Sequence, residues 1–208
     1  MLTSTSPRPM NESARQMPPT PARSIRNTFS TVRKITAAEA MRAGCERMAV
    51  AQSANGGAAA NDVGILNTAL ALENEAISAY QLGAQSGLLQ KPVLEVAVLF
   101  QTHHKEHRDA LIATIRKLGG TPVAAKSDAE VAQALNASAL KTQTDVLRLA
   151  QRLEKGAANA YIGVIPSFGD RGLAQVSARL AADEAMHWTV LTQALKDPLP
   201  AKALSFGA

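Results

Sequence analysis

Leu72-Glu73-Asn74-Glu75-Ala76-Ile77-Ser78-Ala79-Tyr80 and Leu153-Glu154-Lys155-Gly156-Ala157-Ala158-Asn159-Ala160-Tyr161 are two versions of one pattern, Leu-Glu-x-x-Ala-x-x-Ala-Tyr, 81 residues apart. A second pair follows at an offset of 80, where His104-x-x-His107-x-x-x-Leu111 lies against Glu184-x-x-His187-x-x-x-Leu191. Two copies of a two-segment unit are an internal repeat, and such a repeat predicts that each unit completes the buried face of the other.

All four segments carry the 3-4 spacing of an amphipathic helix. In the second the apolar seam reads Val93, Ala97, Phe100, His104, His107, Leu111, Thr114, Leu118, and in the fourth Leu173, Ser177, Leu180, Glu184, His187, Leu191. Glu73 falls in the stripe between Leu66, Leu70 and Ile77, and Glu154 between Leu147, Ala150 and Ala158. A glutamate on a helix is ordinarily solvated, and a lone histidine is ordinarily structural. Here the phase puts six such residues on stripes that face a core, where an unpaired carboxylate is costly. Three carboxylates buried together would also raise one another's pKa values. A pair of divalent cations resolves both problems. The sequence therefore nominates Glu73, His104, His107, Glu154, Glu184 and His187 as metal ligands. Mixed nitrogen and oxygen donors suit iron or manganese, with zinc a third choice. Tyr80 and Tyr161 lie two turns beyond their glutamates, where a phenol can donate a hydrogen bond to a ligand or simply fill the core. Glu106 is one step off the seam and reads as solvated, although a local shift would make it an alternative ligand.

Punctuation sets the segment limits. The first runs from about Asp62 to Gln85 and stops near Gly87; the second starts at Pro92, a first-turn position, and stops at Gly119-Gly120. The third begins between Asn136 and Thr142 and ends before Pro166, and the fourth fills Arg171 to Lys196. Ser127 followed by Glu130 has capping-box spacing and predicts a short helix inside the long middle connection. Short links within the pairs and a long one between them predict an all-α, antiparallel four-helix bundle with one long crossover.

The chain is 46% hydrophobic and only 3% aromatic, a composition that favours close-packed helices over aromatic-rich strands. Of the formal charge of +5, the whole excess lies in residues 1–50, which hold eight Lys or Arg and three acids. The remainder is balanced. Residues 1–34 form a Ser-, Pro- and Arg-rich arm expected to be disordered, and 35–54 an extra amphipathic N-terminal helix. A Gly and Ala linker at Asn55 to Asn61 precedes the bundle at 60–197, and 198–208 is a tail. One cysteine, Cys45, excludes an intrachain disulfide, and nothing approaches a membrane-spanning apolar run. The expected compartment is the cytoplasm, with an organelle-targeting role for the arm as the competing reading.

The double occurrence of Glu and Glu-x-x-His over roughly residues 60 to 196 resembles the ferritin-like superfamily, which includes rubrerythrins and bacterioferritins. The resemblance implies a di-iron centre with oxidase or iron-handling, ferroxidase-type chemistry. It assigns Glu73 and His107 to one ion, Glu154 and His187 to the other, and Glu184 to a bridge. His104 departs from the pattern, standing where the family places its other bridging glutamate. That departure motivates a competing expectation, a structural or stress-protective bundle with a degenerate site. A third is a stress protein whose basic arm binds DNA or another anionic surface. One chain supplies all four helices, so a homodimer or larger oligomer is permitted but not required.

Overall fold

Long runs of strong helix formers give the described residues of this chain five α-helices. A computed structural model describes residues 37–207, with side chains from residue 57 onward. The helices are α1 (Ala37–Gln85), α2 (Lys91–Lys117), α3 (Asp128–Ala134), α4 (Gln143–Val164) and α5 (Arg171–Ala194). The basic arm expected over residues 1–34 lies outside the described residues.

The linker expected at Asn55 to Asn61 is not a break, because α1 runs through it as one helix of 49 residues. The two central glycines cost about 1 kcal/mol each relative to alanine. A helix that is already propagating meets no new nucleation barrier, and the Ala58–Ala60 run supports it. The other limits follow the predicted punctuation. Pro92 sits in the first turn of α2, and Gly119, at φ +79°, accepts the left-handed conformation that ends it. Ser127 with Glu130 and Thr142 with Asp145 form reciprocal capping boxes at the starts of α3 and α4.

Two apolar clusters fix the helix directions. One joins Leu66 and Leu70 of α1 to Leu111 and Ile115 near the end of α2, Tyr161 near the end of α4, and Leu180 of α5. The other joins Tyr80, Phe100, Leu147 and Leu191. Helices α1 and α5 therefore run one way and α2 and α4 the other. Because α2 and α4 are parallel, their connection must return along roughly 40 Å of helix. It does so beside α1: Asn67 holds Thr121 and Val123, and Ser78 donates to Asp128 at 2.6 Å. The seam drifts at one point, with Ile115 rather than Thr114 buried, since a period of 3.6 outruns a strict 3-4 alternation.

Buried Asp62 sets the start of α5. Its carboxylate accepts from the backbone N–H of Gly169 at 2.9 Å and of Asp170 at 3.1 Å, and Asp170 in turn caps α5. Asp62→Ala is expected to lower unfolding stability by about 2 kcal/mol, because hydrogen bonds to charged acceptors are among the stronger ones. Urea denaturation measures this directly.

Candidate metal centre

Midway between the two apolar clusters, four helices bring polar side chains to one level. Glu73 comes from α1, His104 and His107 from α2, Glu154 from α4, and Glu184 and His187 from α5; all six are buried. Their candidate ligand atoms form two overlapping groups, Glu73–His104–His107–Glu184 and His104–Glu154–Glu184–His187. Within each group these atoms lie within 4.8 Å of one another. Glu184 and His104 belong to both. Glu106 is exposed and belongs to neither, so the alternative-ligand expectation for it finds no support in the geometry.

The atoms at the middle converge without satisfying one another. His107 Nδ1 and both oxygens of Glu184 are buried with no hydrogen-bond partner. His107 Nδ1 lies 3.3 Å from Glu184 Oε1, and His187 Nδ1 lies 3.4 Å from Glu184 Oε2, but neither contact has hydrogen-bond geometry. Buried polar atoms are very rarely left in this way. A cluster of nitrogen and oxygen donors directed at a shared centre is the chemistry of a metal site, and the residues present fit a divalent cation.

The outer face of each histidine is held by a different group. His107 Nε2 lies 3.2 Å from Asp183 Oδ2, and His187 Nε2 lies 2.9 Å from His103 Nδ1. Burial, together with the neighbouring His187 and His107, lowers the pKa of His103. In both rings Nε2 is engaged on the outer side, and Nδ1 faces the centre. Neither His103 nor Asp183 lies on the seams read from the sequence. The signal was present, since the same offset of 80 that pairs 104 with 184 pairs 103 with 183.

The tyrosines cross over. Tyr80 of α1 donates to Glu154 of α4, and Tyr161 of α4 donates to Glu73 of α1, each to the glutamate of the other repeat. Burial and the adjacent carboxylate charge push both phenols well above their ordinary pKa, so both remain donors. His104 spans the halves, with Nδ1 2.8 Å from Glu73 Oε2 and Nε2 3.2 Å from Glu154 Oε1. Among the protein's own groups, burial pushes the His104 ring down, but its bonds to Glu154 and Glu73 outweigh this and carry it up to about 10. Burial likewise pushes Glu73 up, and its bonds to His104 and His107 overcome this to hold it near 2. Glu184 goes the other way: burial and the nearby Glu154 raise it.

The family described as ferritin-like domain matches residues 61–197, about two thirds of the sequence, from within α1 to just beyond α5. The chain belongs to the ferritin-like domain family. Among solved structures, this ferritin-like chain is similar to a conserved hypothetical protein, Rv2844, from Mycobacterium tuberculosis. The identity is 22% and the TM-score 0.57, over 70% of this chain and 98% of that one, a likeness of fold. No curated protein matches its sequence. Among the described residues, no helix is long and apolar enough to cross a membrane.

Proposed function

We propose that this ferritin-like chain binds two metal ions in the buried cluster, iron foremost and manganese or zinc as alternatives, and serves in oxidase or iron-handling chemistry. The observation that carries this reading is the set of three buried atoms without partners, His107 Nδ1 and the two Glu184 oxygens. Glu73 and His107 would hold one ion, Glu154 and His187 the other, and Glu184 would serve both. Bound iron would supply redox chemistry toward oxygen or peroxide. The protein's own contribution is to keep Nδ1 of each histidine facing inward, to orient Glu73 and Glu154 through the crossed tyrosines, and to surround the cluster with apolar side chains. Metal loading would displace protons from His104 and His107, whose pKa values stand at about 10 in the protein's own field.

Protein purified without chelators and subjected to elemental analysis is expected to carry close to two ions per chain. Anaerobic addition of ferrous iron to chelator-treated protein, followed by air, should give a new near-ultraviolet absorption. Loading far below one ion per chain, with no optical change, would refute the proposal.

One observation favours a second reading. His104 already joins Glu73 to Glu154, and the cluster holds three imidazoles for three carboxylates, so protonated histidines can neutralise it without a cation. On that reading the chain is a structural or stress-protective bundle with a degenerate site. Its melting temperature would then be the same with chelator and with excess ferrous or manganous ion, whereas rapid oxygen consumption on iron addition contradicts it.

A further inference from the structure

One end of the bundle contains an apolar cavity of about 160 Å³, lying between α1, α2, α4 and α5 and covered by crossover residues such as Leu135 and Leu140. We propose that it is a binding site for an uncharged hydrocarbon group about the size of a benzene ring. Natural interiors hold few voids larger than a water molecule, and an empty cavity destabilises a fold in proportion to its volume. An apolar cavity of roughly 150 Å³ stays dry and takes up benzene or xenon. This cavity is of that size and that chemistry, and it opens to solvent past exposed Pro92, Val190 and Ala194.

The space is made by small side chains. Ala79 and Gly83 of α1, Ala97 of α2, Ala150 of α4 and Ala194 of α5 all line it, where larger side chains would occupy part of the space. No charged side chain lines it, and the one hydroxyl among its walls, on Tyr80, is already committed to Glu154. An anionic or strongly polar ligand therefore finds no partner there, and burying its charge would be unfavourable. Leu89 and Pro92, in and just after the α1–α2 link, belong to the outer wall, where Pro92 is solvent-exposed.

Its inner wall is the metal cluster's own wall. Tyr80 and Phe100 line the cavity; Tyr80 donates to Glu154, and Phe100 stacks on His187 with ring centroids 4.1 Å apart. A bound hydrocarbon would sit one side chain from the ligands of the proposed centre. Binding itself does not depend on a metal, so it can fail or succeed independently of the two-ion reading.

The test is calorimetric titration of the full, chelator-treated chain with toluene, and with benzoate as the charged comparator. Toluene is expected to bind saturably at one site, with benzoate at least roughly tenfold weaker because its carboxylate would be buried unpaired. Ala97→Leu and Ala150→Leu each fill the cavity and should abolish toluene binding while melting at or above the wild-type temperature, since cavity filling commonly stabilises. Two variants on different helices guard against one that packs badly. Absence of saturable toluene binding to the wild-type chain, equal binding of benzoate, or unchanged toluene binding in folded filled variants would each overturn the proposal.

Discussion

Glu184→Ala is expected to remove both ions from the centre, whereas Glu73→Ala and Glu154→Ala each remove one. Glu184 is the carboxylate common to both ligand groups, and neither of its oxygens is engaged by another side chain. Glu73 and Glu154 each serve one group and are each held by a tyrosine and by His104. Loss of an outer partner of a ligand typically weakens metal affinity by about 10- to 100-fold, so loss of the shared ligand itself should exceed roughly 100-fold. Equilibrium dialysis against ferrous or manganous ion, with metal per chain measured by elemental analysis, reads the three variants side by side. The outcome that sinks the assignment is Glu184→Ala retaining the wild-type load. Exposed Glu106→Ala supplies the control, with loading unchanged.

The largest change in stability is expected from His104→Glu. The ring is 1% exposed and its two nitrogens reach carboxylates on two different helices, so it acts as an internal cation tying α1 to α4 through α2. Replacing it with glutamate removes both hydrogen bonds and places a fourth acid beside Glu73, Glu154 and Glu184. Removing one partner from a buried charged pair costs about 3–5 kcal/mol. For a chain of this length that corresponds to a fall of roughly 10 °C in melting temperature in the presence of chelator. Excess ferrous or manganous ion should reverse the loss, and the metal-induced rise should be larger than in the wild type, because on the proposed two-ion reading the glutamate would add a fourth carboxylate ligand. Melting curves with and without metal decide it. If His104→Glu melts like the wild type in chelator, His104 does not hold the cluster together.

These two residues illustrate what a linear reading could reach. The Glu and His positions were legible because helical phase places them on the same stripe as Leu70, Leu111 and Leu180, and burial is a property of phase. Which helix each side chain reaches is a property of packing. Tyr80 follows Glu73 on one face of α1, yet its hydroxyl meets Glu154, because a side chain two turns along the stripe projects into the bundle toward the helix across it. His103 and Asp183 lie at the edge of the seam by phase. They became partners of His187 and His107 only when α2 and α5 packed side by side.

The helix limits divide in the same way. The ends at Gly119, Thr142 and Ser127 are local, since the capping groups lie within a few residues of the helix they terminate. The continuity of α1 through Gly56-Gly57 was misread because glycine's cost is modest in a helix that is already formed. No local rule distinguishes that from a linker.

By itself the sequence determined the all-α class, the long crossover and the six polar residues on the core stripe, because each follows from periodicity or capping along the chain. The tertiary structure alone decided that Glu184 and His104 are shared by both ligand groups, that the tyrosines cross between repeats, and that small residues from four helices leave an apolar cavity against Tyr80 and Phe100. Those features depend on distances between helices, which are fixed by how the side chains of all four pack and which no single segment encodes.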